Sequence, residues 1–299
     1  MDTNFDSILN HTPEAKPGLT PAEWGEKQKE KRETLYAMAD QVTQEAAVDP
    51  ERFRAYLDVQ ARFDDYSPLN ALLILAQRPD AVRLGDFEHW KSLGTYIKPG
   101  SKGFDIMAPN GTYLDSNGAV RQRFSPKRVF DVRQVELGAL KLQKTLARAT
   151  EKDIIMAMVK AYGGAVQVVP AEALPEDGKY AFTQEGVLQL REGLSFSEAV
   201  SILAYTLADR ETRRREGELD SPGLAMYCAQ YMLCKKYGTD TQDFGFDFVG
   251  DIFAEKSVQE IRAQLGEIRN VGHDLIKRVE QRLNEQEQHR QKAAPEAAR

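Results

Sequence analysis

Two turn segments within one stretch of short apolar runs limit what this chain can fold into. They are Pro99-Gly100-Ser101-Lys102-Gly103 and Asp115-Ser116-Asn117-Gly118. An Asn-Gly pair between two such runs is typical of a β-hairpin, because both residues adopt positive φ at little cost. The stretch therefore predicts a small antiparallel sheet. We expect its strands at residues 95–97, 104–107, 112–114, 119–124 and 128–132.

Helical patterns surround this sheet. Thr20 before Pro21 is typical of a helix start, since a threonine hydroxyl caps the first turn and proline suits its first position. Apolar residues then recur at helical spacing as far as Pro79, and a short helix carries Trp90. The prediction is an α+β fold: a helical lead-in with a small antiparallel sheet, then a second α+β unit and a long C-terminal helix. We expect the later helices at 152–162, 195–216, 222–237 and from 258 onward, and the later strands at 165–169, 180–183 and 187–190.

Composition divides the chain into four segments. Residues 1–20 are polar and contain proline and glycine, which is typical of disorder. A first domain is expected at 21–140 and a second at 150–255, with a polar connector between them. Residues 256–299 are predicted to form the long helix and a polar tail.

The net charge of −6 conceals an asymmetry. Residues 83–148 carry 12 basic and 6 acidic side chains, so this segment has a charge of +6 and the rest of the chain −12. A basic segment within an acidic chain indicates a polyanionic partner for that segment. The basic segment includes the predicted sheet.

Several classes of protein are disfavoured because their sequence signals are missing. The apolar runs at 71–76 and 154–159 are far shorter than the roughly 20 residues that span a bilayer, so we expect no membrane association. The first residues carry no positive charge and lead into no apolar stretch, which argues against a secretory signal and favours a cytoplasmic protein. Cys228 and Cys234 are predicted on different faces of one helix, so we expect no disulfide.

Aromatic and basic residues are interleaved through the basic segment. Single-stranded nucleic acids bind in cationic grooves whose aromatic rings stack on the bases, and the glycine turn at 99–103 leaves room for phosphates to approach. Asn70 and Gln77 lie two helical turns apart and so share one helix face. Structural alternatives stay open: Trp90 as a core residue, Asn70 as a cap or a buried network member, and the turn lysines as solvated charges. The candidate DNA-binding residues are Tyr66, Asn70, Gln77, Trp90, Lys91, Tyr96, Lys98, Lys102, Tyr113, Arg121, Arg123, Lys127 and Arg128.

Short motifs follow one another in this part of the chain: Tyr66-Ser67-Pro68-Leu69-Asn70, Leu73 through Pro79, Phe87-Glu88-His89-Trp90-Lys91, Tyr96-Ile97-Lys98-Pro99-Gly100 and Val129-Phe130-Asp131-Val132. Their order and spacing resemble the N-terminal single-stranded-DNA-binding domain of the ArdC antirestriction family, to which conjugative-element proteins of the LtrC type are related. The resemblance covers about residues 25–140. It implies a single-stranded-DNA-binding accessory protein of a plasmid, conjugative element or phage, with an antirestriction or DNA-protecting role.

In the same family, the second domain resembles a zinc metallopeptidase, with His-Glu-x-x-His on one helix and a glutamate ligand on a later helix. Two imidazoles four residues apart bind Zn²⁺ from one helix face, and the glutamate beside them activates the bound water. This chain has Tyr205-Thr206-Leu207-Ala208-Asp209 at those positions, Ala225 and Tyr227 nearest the third ligand position, and no Asp or Glu at 221–237. The resemblance therefore implies a zincin-like fold without its zinc motif. We predict no catalytic residue, no metal, no other cofactor and no enzymatic activity.

The second domain and the long helix leave several partners open. We expect the second domain to dock a protein partner whose identity the sequence does not give. Apolar residues at 258–279 keep a 3-4-3-4 spacing, weakened at Gly272, and this stripe either docks on the core or joins two copies as a homodimer. Two alternative functions remain: a scaffold that dimerises through this helix, and an enzyme that uses other residues, such as Asp209 with Asp220 or Glu218.

Overall fold

The computed structural model describes residues 20–136 and 149–293, so the prediction of disorder at 1–20 lies outside it except for Thr20, as does most of the predicted connector. Its mixture of helices and strands confirms the predicted α+β class. Within the described ranges, no helix has both the length and the hydropathy that crossing a bilayer requires. The helices are α1 (Pro21–Val48), α2 (Pro50–Arg62), α3 (Pro68–Gln77), α4 (Phe87–Ser92), α5 (Glu151–Tyr162), α6 (Phe196–Arg214), α7 (Pro222–Lys236), α8 (Val249–Phe253) and α9 (Val258–Ala293). The strands are β1 (Leu84–Gly85), β2 (Phe104–Leu114), β3 (Val120–Asp131), β4 (Val166–Val169), β5 (Tyr180–Phe182) and β6 (Leu188–Arg191).

Side-chain caps define where several helices begin. The Thr20 hydroxyl accepts a hydrogen bond from Glu23 N, and the Glu23 carboxylate accepts one from Thr20 N at 2.8 Å. Ser195 and Glu198 form the same reciprocal pair at α6, and Ser67 caps α3. These caps satisfy N–H groups that the first turn of a helix leaves without a partner. The predicted starts of α1, α3 and α6 are confirmed to within one residue.

The antiparallel sheet is a long β2–β3 hairpin with the short strand β1 beside β3. Pairing continues along both long strands, with one irregularity between Pro109 and Thr112. The sequence predicts two separate strands on each side of the turn at 115–118. This is wrong, because β2 and β3 continue across the expected breaks at 108–111 and 125–127. The predicted strand at 95–97 is reduced to one bridge between Ile97 and Val135.

The two ends of the hairpin have different surroundings. The first residues of β2, at 104–107, are buried, whereas the strand from Pro109 to Leu114 is exposed. The predicted turn closes the far end, where Gly118 has a φ of 77°. The base of the hairpin therefore belongs to the core, and its distal half stands clear of it.

Two amide side chains on one face of α3 hold the base of the hairpin. Asn70 Nδ2 donates to Met107 O at 2.8 Å, and Asn70 Oδ1 accepts from Met107 N at 2.8 Å. Gln77 makes the equivalent pair with the backbone of Asp105, at 2.9 and 3.3 Å. Both side chains thus complete the edge of β2 as a neighbouring strand would. The predicted common face of Asn70 and Gln77 is correct, but their amides are engaged by the backbone, which corrects their assignment to DNA binding.

Replacing Asn70 by alanine is expected to lower the free energy of unfolding by about 2–4 kcal/mol, because two backbone groups of buried Met107 lose their partner. Urea unfolding followed by circular dichroism measures the change. Asn110→Ala, at an exposed position on the same strand, is the matched control and should change the free energy by less than about 0.5 kcal/mol. Equal stability of the two variants would contradict the anchoring role.

The second sheet has the strand order β4-β6-β5. β4 pairs with β6 in parallel and β5 pairs with β6 antiparallel, so the three strands predicted for this part of the chain are confirmed. α6 follows β6 after a short turn, and α7 packs against α6 and α9. Cys228 and Cys234 on α7 are buried free thiols, which confirms the prediction of no disulfide.

Helix α9 is part of the core. Its apolar stripe from Ile261 to Val279 is buried, and the helix packs against α5, α6, α7, α1 and α3. A Cβ at Gly272 would lie 2.7 Å from Met232 Cε, so glycine allows α9 to approach α7 closely here. The stripe therefore docks on the core. Because its residues are buried within the chain, the stripe is not available as a dimer interface. One connected core includes helices from both halves, and the division into two domains stays a prediction.

Candidate nucleic-acid interface

A groove runs between residues 24–36 of α1 and residues 108–113 and 122–127 of the β2–β3 hairpin; we call it the α1–hairpin groove. It consists of two adjoining depressions, of about 610 and 480 Å³, that share Arg32, Arg123 and Phe124. Among the described residues, no Asp or Glu lines either depression. The charged and aromatic residues that line it are Trp24, Lys29, Arg32, Tyr36, Tyr113, Arg123, Phe124 and Lys127.

One wall of the groove is a single face of α1. Trp24, Arg32 and Tyr36 follow one another eight and four residues apart, which places them along one side of the helix. Trp24 is 57% exposed and Tyr36 is 37% exposed. This wall therefore presents two open rings with a guanidinium between them.

The facing wall is the distal hairpin. Tyr113 on β2 and Phe124 on β3 are 45% and 42% exposed. The Arg123 guanidinium lies 5.8 Å from the centre of the Tyr113 ring, a cation–π separation. Rings and a guanidinium side by side offer a stacking surface for bases and a charge for phosphates.

Four cations give the groove a positive potential. Lys29 lies 4.0 Å from a neighbouring glutamate, and Lys127 forms an ion pair with Asp86. The hydrogen bond from Lys127 is the main reason that the pKa of Asp86 lies below its usual value. Arg32 and Arg123 have no carboxylate oxygen within 4.0 Å in the described parts of the chain. Two guanidinium groups are therefore open to an external anion.

Beyond Lys127 the groove meets a third depression of different charge. Tyr66 and Asn70 line this depression, and so do Asp65 and Asp86. Burial, followed by the charges of these two carboxylates, raises the pKa of Tyr66. Because carboxylates repel phosphate, the surface favourable to a polyanion ends near Lys127.

Helix α6 carries the residues that stand at the zinc-motif positions. The buried Thr206 hydroxyl donates to a backbone carbonyl of its own helix at 3.0 Å. Both Asp209 oxygens accept from Arg213 Nε at 2.9 Å, and the ring of Tyr205 lies 6.3 Å from that of Tyr180. Zinc binds imidazole, thiolate or an available carboxylate. The residues of this helix therefore do not fit a zinc ion.

Helix α7 carries no carboxylate, and its two thiols, Cys228 and Cys234, belong to no group of described residues that could hold a metal ion. Ala225 is buried, and the Tyr227 hydroxyl is hydrogen-bonded to the backbone of the loop that follows the helix. Within the described residues, Asp209, Glu218 and Asp220 do not come together as a group that could hold a metal ion. The alternative of an enzyme built on these three residues gains no support from the geometry.

Asp64, Asp65 and His273 are the group of described residues whose ligand atoms lie close enough for a metal ion. Both oxygens of Asp64 are already engaged: one accepts from Lys236 Nζ at 2.6 Å, and the other lies 3.0 Å from His273 Nδ1. Burial opposes the charge of Lys236, yet the bond and the charge of Asp64 hold its pKa above the usual value. An ammonium group at this distance repels a divalent cation. The cluster is thus an ion-pair network that ties the segment after α2 to α7 and α9.

Comparison with known proteins finds a structural likeness. No protein-family model matches the chain, and no curated protein matches it in sequence. Two solved structures of the antirestriction protein ArdC from plasmid R388 are similar to it. The chain resembles ArdC. The metal-free ArdC structure is 13% identical, with a TM-score of 0.43, over 74% of this chain and 86% of that chain. The Mn(II)-bound structure is 13% identical, with a TM-score of 0.49, over 82% of this chain and 98% of that chain.

Three of the DNA-binding residues predicted from the sequence line the α1–hairpin groove: Tyr113, Arg123 and Lys127. Tyr66 lines the adjoining acidic depression. Trp90 is fully buried, and its Nε1 donates to a backbone carbonyl of β3 at 3.2 Å. Its ring cannot stack on a base, so the prediction for Trp90 is wrong and its alternative as a core residue is correct.

The remaining candidates lie outside the groove. Arg121 pairs with Asp115 at 2.8 Å, and Arg128 pairs with Asp105 at 2.9 Å, so both guanidinium groups have partners within the chain. The other candidates outside the groove occupy exposed positions on α4 and in the segment before β2: Lys91, Tyr96, Lys98 and Lys102. The role of all these side chains in DNA binding stays a prediction.

Sequence reasoning misses four residues that line the groove: Trp24, Arg32, Tyr36 and Phe124. Three of them lie on α1, where glutamates and lysines of opposite charge surround them. The available signal is the spacing of eight and four residues between Trp24, Arg32 and Tyr36, which aligns two aromatic residues and a cation on one helix face.

Proposed function

We propose that this chain is a single-stranded-DNA-binding accessory protein of a mobile genetic element, and that the strand lies in the α1–hairpin groove. One observation carries the proposal. In a chain of net charge −6, this groove is lined by four cations and four exposed aromatic residues, and by no carboxylate among the described residues. Cations release counterions from phosphates, and open rings stack on bases, so the two kinds of residue together favour nucleic acid.

Single-stranded DNA suits this groove better than duplex DNA. In a duplex, each base is covered by its neighbours, and a protein reaches only base edges and the backbone. The rings of the groove need uncovered base faces, which a single strand provides. Since every base has such a face, we expect little sequence preference.

The proposed setting is a plasmid, conjugative element or phage, where the protein would shield an entering single strand from restriction or nucleases. This part of the proposal follows from the ArdC-like order of motifs in the sequence. The antirestriction role itself is named for ArdC of plasmid R388.

We further propose that the second half of the chain is not a peptidase and that it docks a protein partner. The support is the engagement of Thr206 and Asp209 within α6 and the absence of histidine from the sequence of that helix. Metal analysis of the purified protein, combined with a peptide-hydrolysis assay, tests the first part. We expect zinc well below one equivalent and no hydrolysis; one equivalent of zinc with hydrolysis would contradict it.

Fluorescence anisotropy with a labelled oligothymidylate tests DNA binding by the whole chain. We expect binding at low salt that weakens as salt rises, with a slope of log K against log [salt] near −3, from roughly 0.7 per neutralised phosphate. A duplex of equal length should bind more weakly. Absence of binding to the single strand at low salt would overturn the proposal.

A further inference from the structure

We propose that four aromatic residues of the α1–hairpin groove form a clamp that stacks on bases of a short single-stranded segment, about four to six nucleotides long. The clamp consists of Trp24 and Tyr36 on α1 and of Tyr113 and Phe124 on the hairpin. This inference rests on the proposed function, to which it adds the contacts and the length of the site.

The four rings are open and have no ring partner of their own. Their exposed fractions lie between 37% and 57%. Among the described residues, none of them packs against another aromatic ring, although aromatic pairs are frequent elsewhere, as at Phe53 with Phe246. The Arg123 guanidinium lies over one face of the Tyr113 ring. Exposed rings without an aromatic partner leave ring surface available to an external planar group.

The alternation of rings and cations matches the alternation of bases and phosphates along a strand. On α1, Arg32 lies between Trp24 and Tyr36 in sequence, and on the hairpin the Arg123 guanidinium lies 5.8 Å from the centre of the Tyr113 ring. Neither arginine has a carboxylate partner among the described residues. Each wall can therefore stack on a base and neutralise a neighbouring phosphate at the same time.

The helix sets the length of the site. Trp24 and Tyr36 are twelve residues apart on α1, which corresponds to roughly 18 Å at the helical rise. At the spacing of about 3.4 Å per nucleotide that one strand of a duplex has, this length covers about five nucleotides. At the end of the groove near Lys127, the carboxylates of Asp65 and Asp86 would repel further phosphates. Both limits favour a short site.

Alanine substitutions at Trp24 and Phe124 in the full chain test the clamp. We expect each to weaken binding of oligothymidylate about 5- to 140-fold, the range of one lost stacking contact. The salt slope should stay unchanged, because no charge is removed, and binding to duplex DNA should change little. In a series of oligothymidylates from two to twelve nucleotides, the affinity of the wild-type chain should level off near five.

Phe182→Ala is the matched control, because Phe182 is 49% exposed on β5 and lies outside the groove. It should bind as the wild type does, and circular dichroism should show that all three variants are folded. If the wild type binds while Trp24→Ala and Phe124→Ala bind equally well, the clamp is wrong and the proposed function stands on charge alone. If the wild type binds no single strand, both proposals fail.

Discussion

Reversing the charge of Arg32 and Arg123 together is expected to weaken binding of single-stranded DNA by about 100-fold or more at low salt. Two of the four groove cations are lost, and two carboxylates that repel phosphate take their place. The salt slope should fall by about half, from near −3 to about −1.4. Anisotropy titrations of Arg32→Glu/Arg123→Glu across a salt series measure both quantities.

These two arginines are the sharpest choice because their charge has no partner in the described chain. Their replacement leaves no carboxylate unpaired, so the fold should be unaffected. Arg213→Glu is the control: Arg213 lies on α6 outside the groove, and its side chain is 77% exposed. We expect it to change the affinity less than about threefold. A double variant that binds like this control would place the DNA elsewhere.

Replacing Glu211 by alanine is expected to lower the free energy of unfolding by about 3–5 kcal/mol. The Glu211 side chain is 1% exposed, and its oxygens accept from Arg214, Arg215 and Arg278. It thereby joins α6 to α9, and its removal leaves three guanidinium groups without their shared partner. Urea unfolding measures the loss. Asp209→Ala, two residues away with a single partner in Arg213, should cost less than about 1 kcal/mol.

The same carboxylate makes stability depend on pH. Burial alone would raise the pKa of Glu211, but the hydrogen bonds from the three arginines outweigh it and lower the pKa to about 2. A lowered pKa stabilises the fold fully above the usual value of 4.5, and the contribution is lost as pH falls toward 2. The wild type should therefore lose stability over this interval more steeply than Glu211→Gln. Parallel curves for the two proteins between pH 5 and 2 would contradict the assignment.

Much of the fold follows from local patterns in the sequence. The caps at Thr20 and Ser195 mark helix starts, and Asn117-Gly118 marks the hairpin turn, because each feature acts within a few residues of chain. Hydrophobic spacing also predicts α9, whose stripe can bury itself only against other helices. Whether that stripe meets its own core or a second copy depends on tertiary packing, and the structure resolves it in favour of the core.

The candidate site could be predicted only in part. Charge and aromatic content predict a nucleic-acid surface on the hairpin, where Tyr113, Arg123 and Lys127 line the groove. The second wall comes from α1, far away in sequence, and only the packing of α1 against the hairpin reveals it. Trp90 shows the opposite error: neighbouring lysines suggest a binding ring, whereas its environment is the interior.

The most direct test of the central claim uses the two tryptophans of the chain. Trp24 is 57% exposed in the α1–hairpin groove, and Trp90 is fully buried away from solvent. If single-stranded DNA binds in the groove, adding oligothymidylate should quench the tryptophan fluorescence until the site is saturated. The fluorescence should recover at high salt, and Trp24→Phe should show no quenching. Binding that anisotropy detects but that leaves the fluorescence unchanged, or that quenches Trp24→Phe equally, would contradict a strand in this groove.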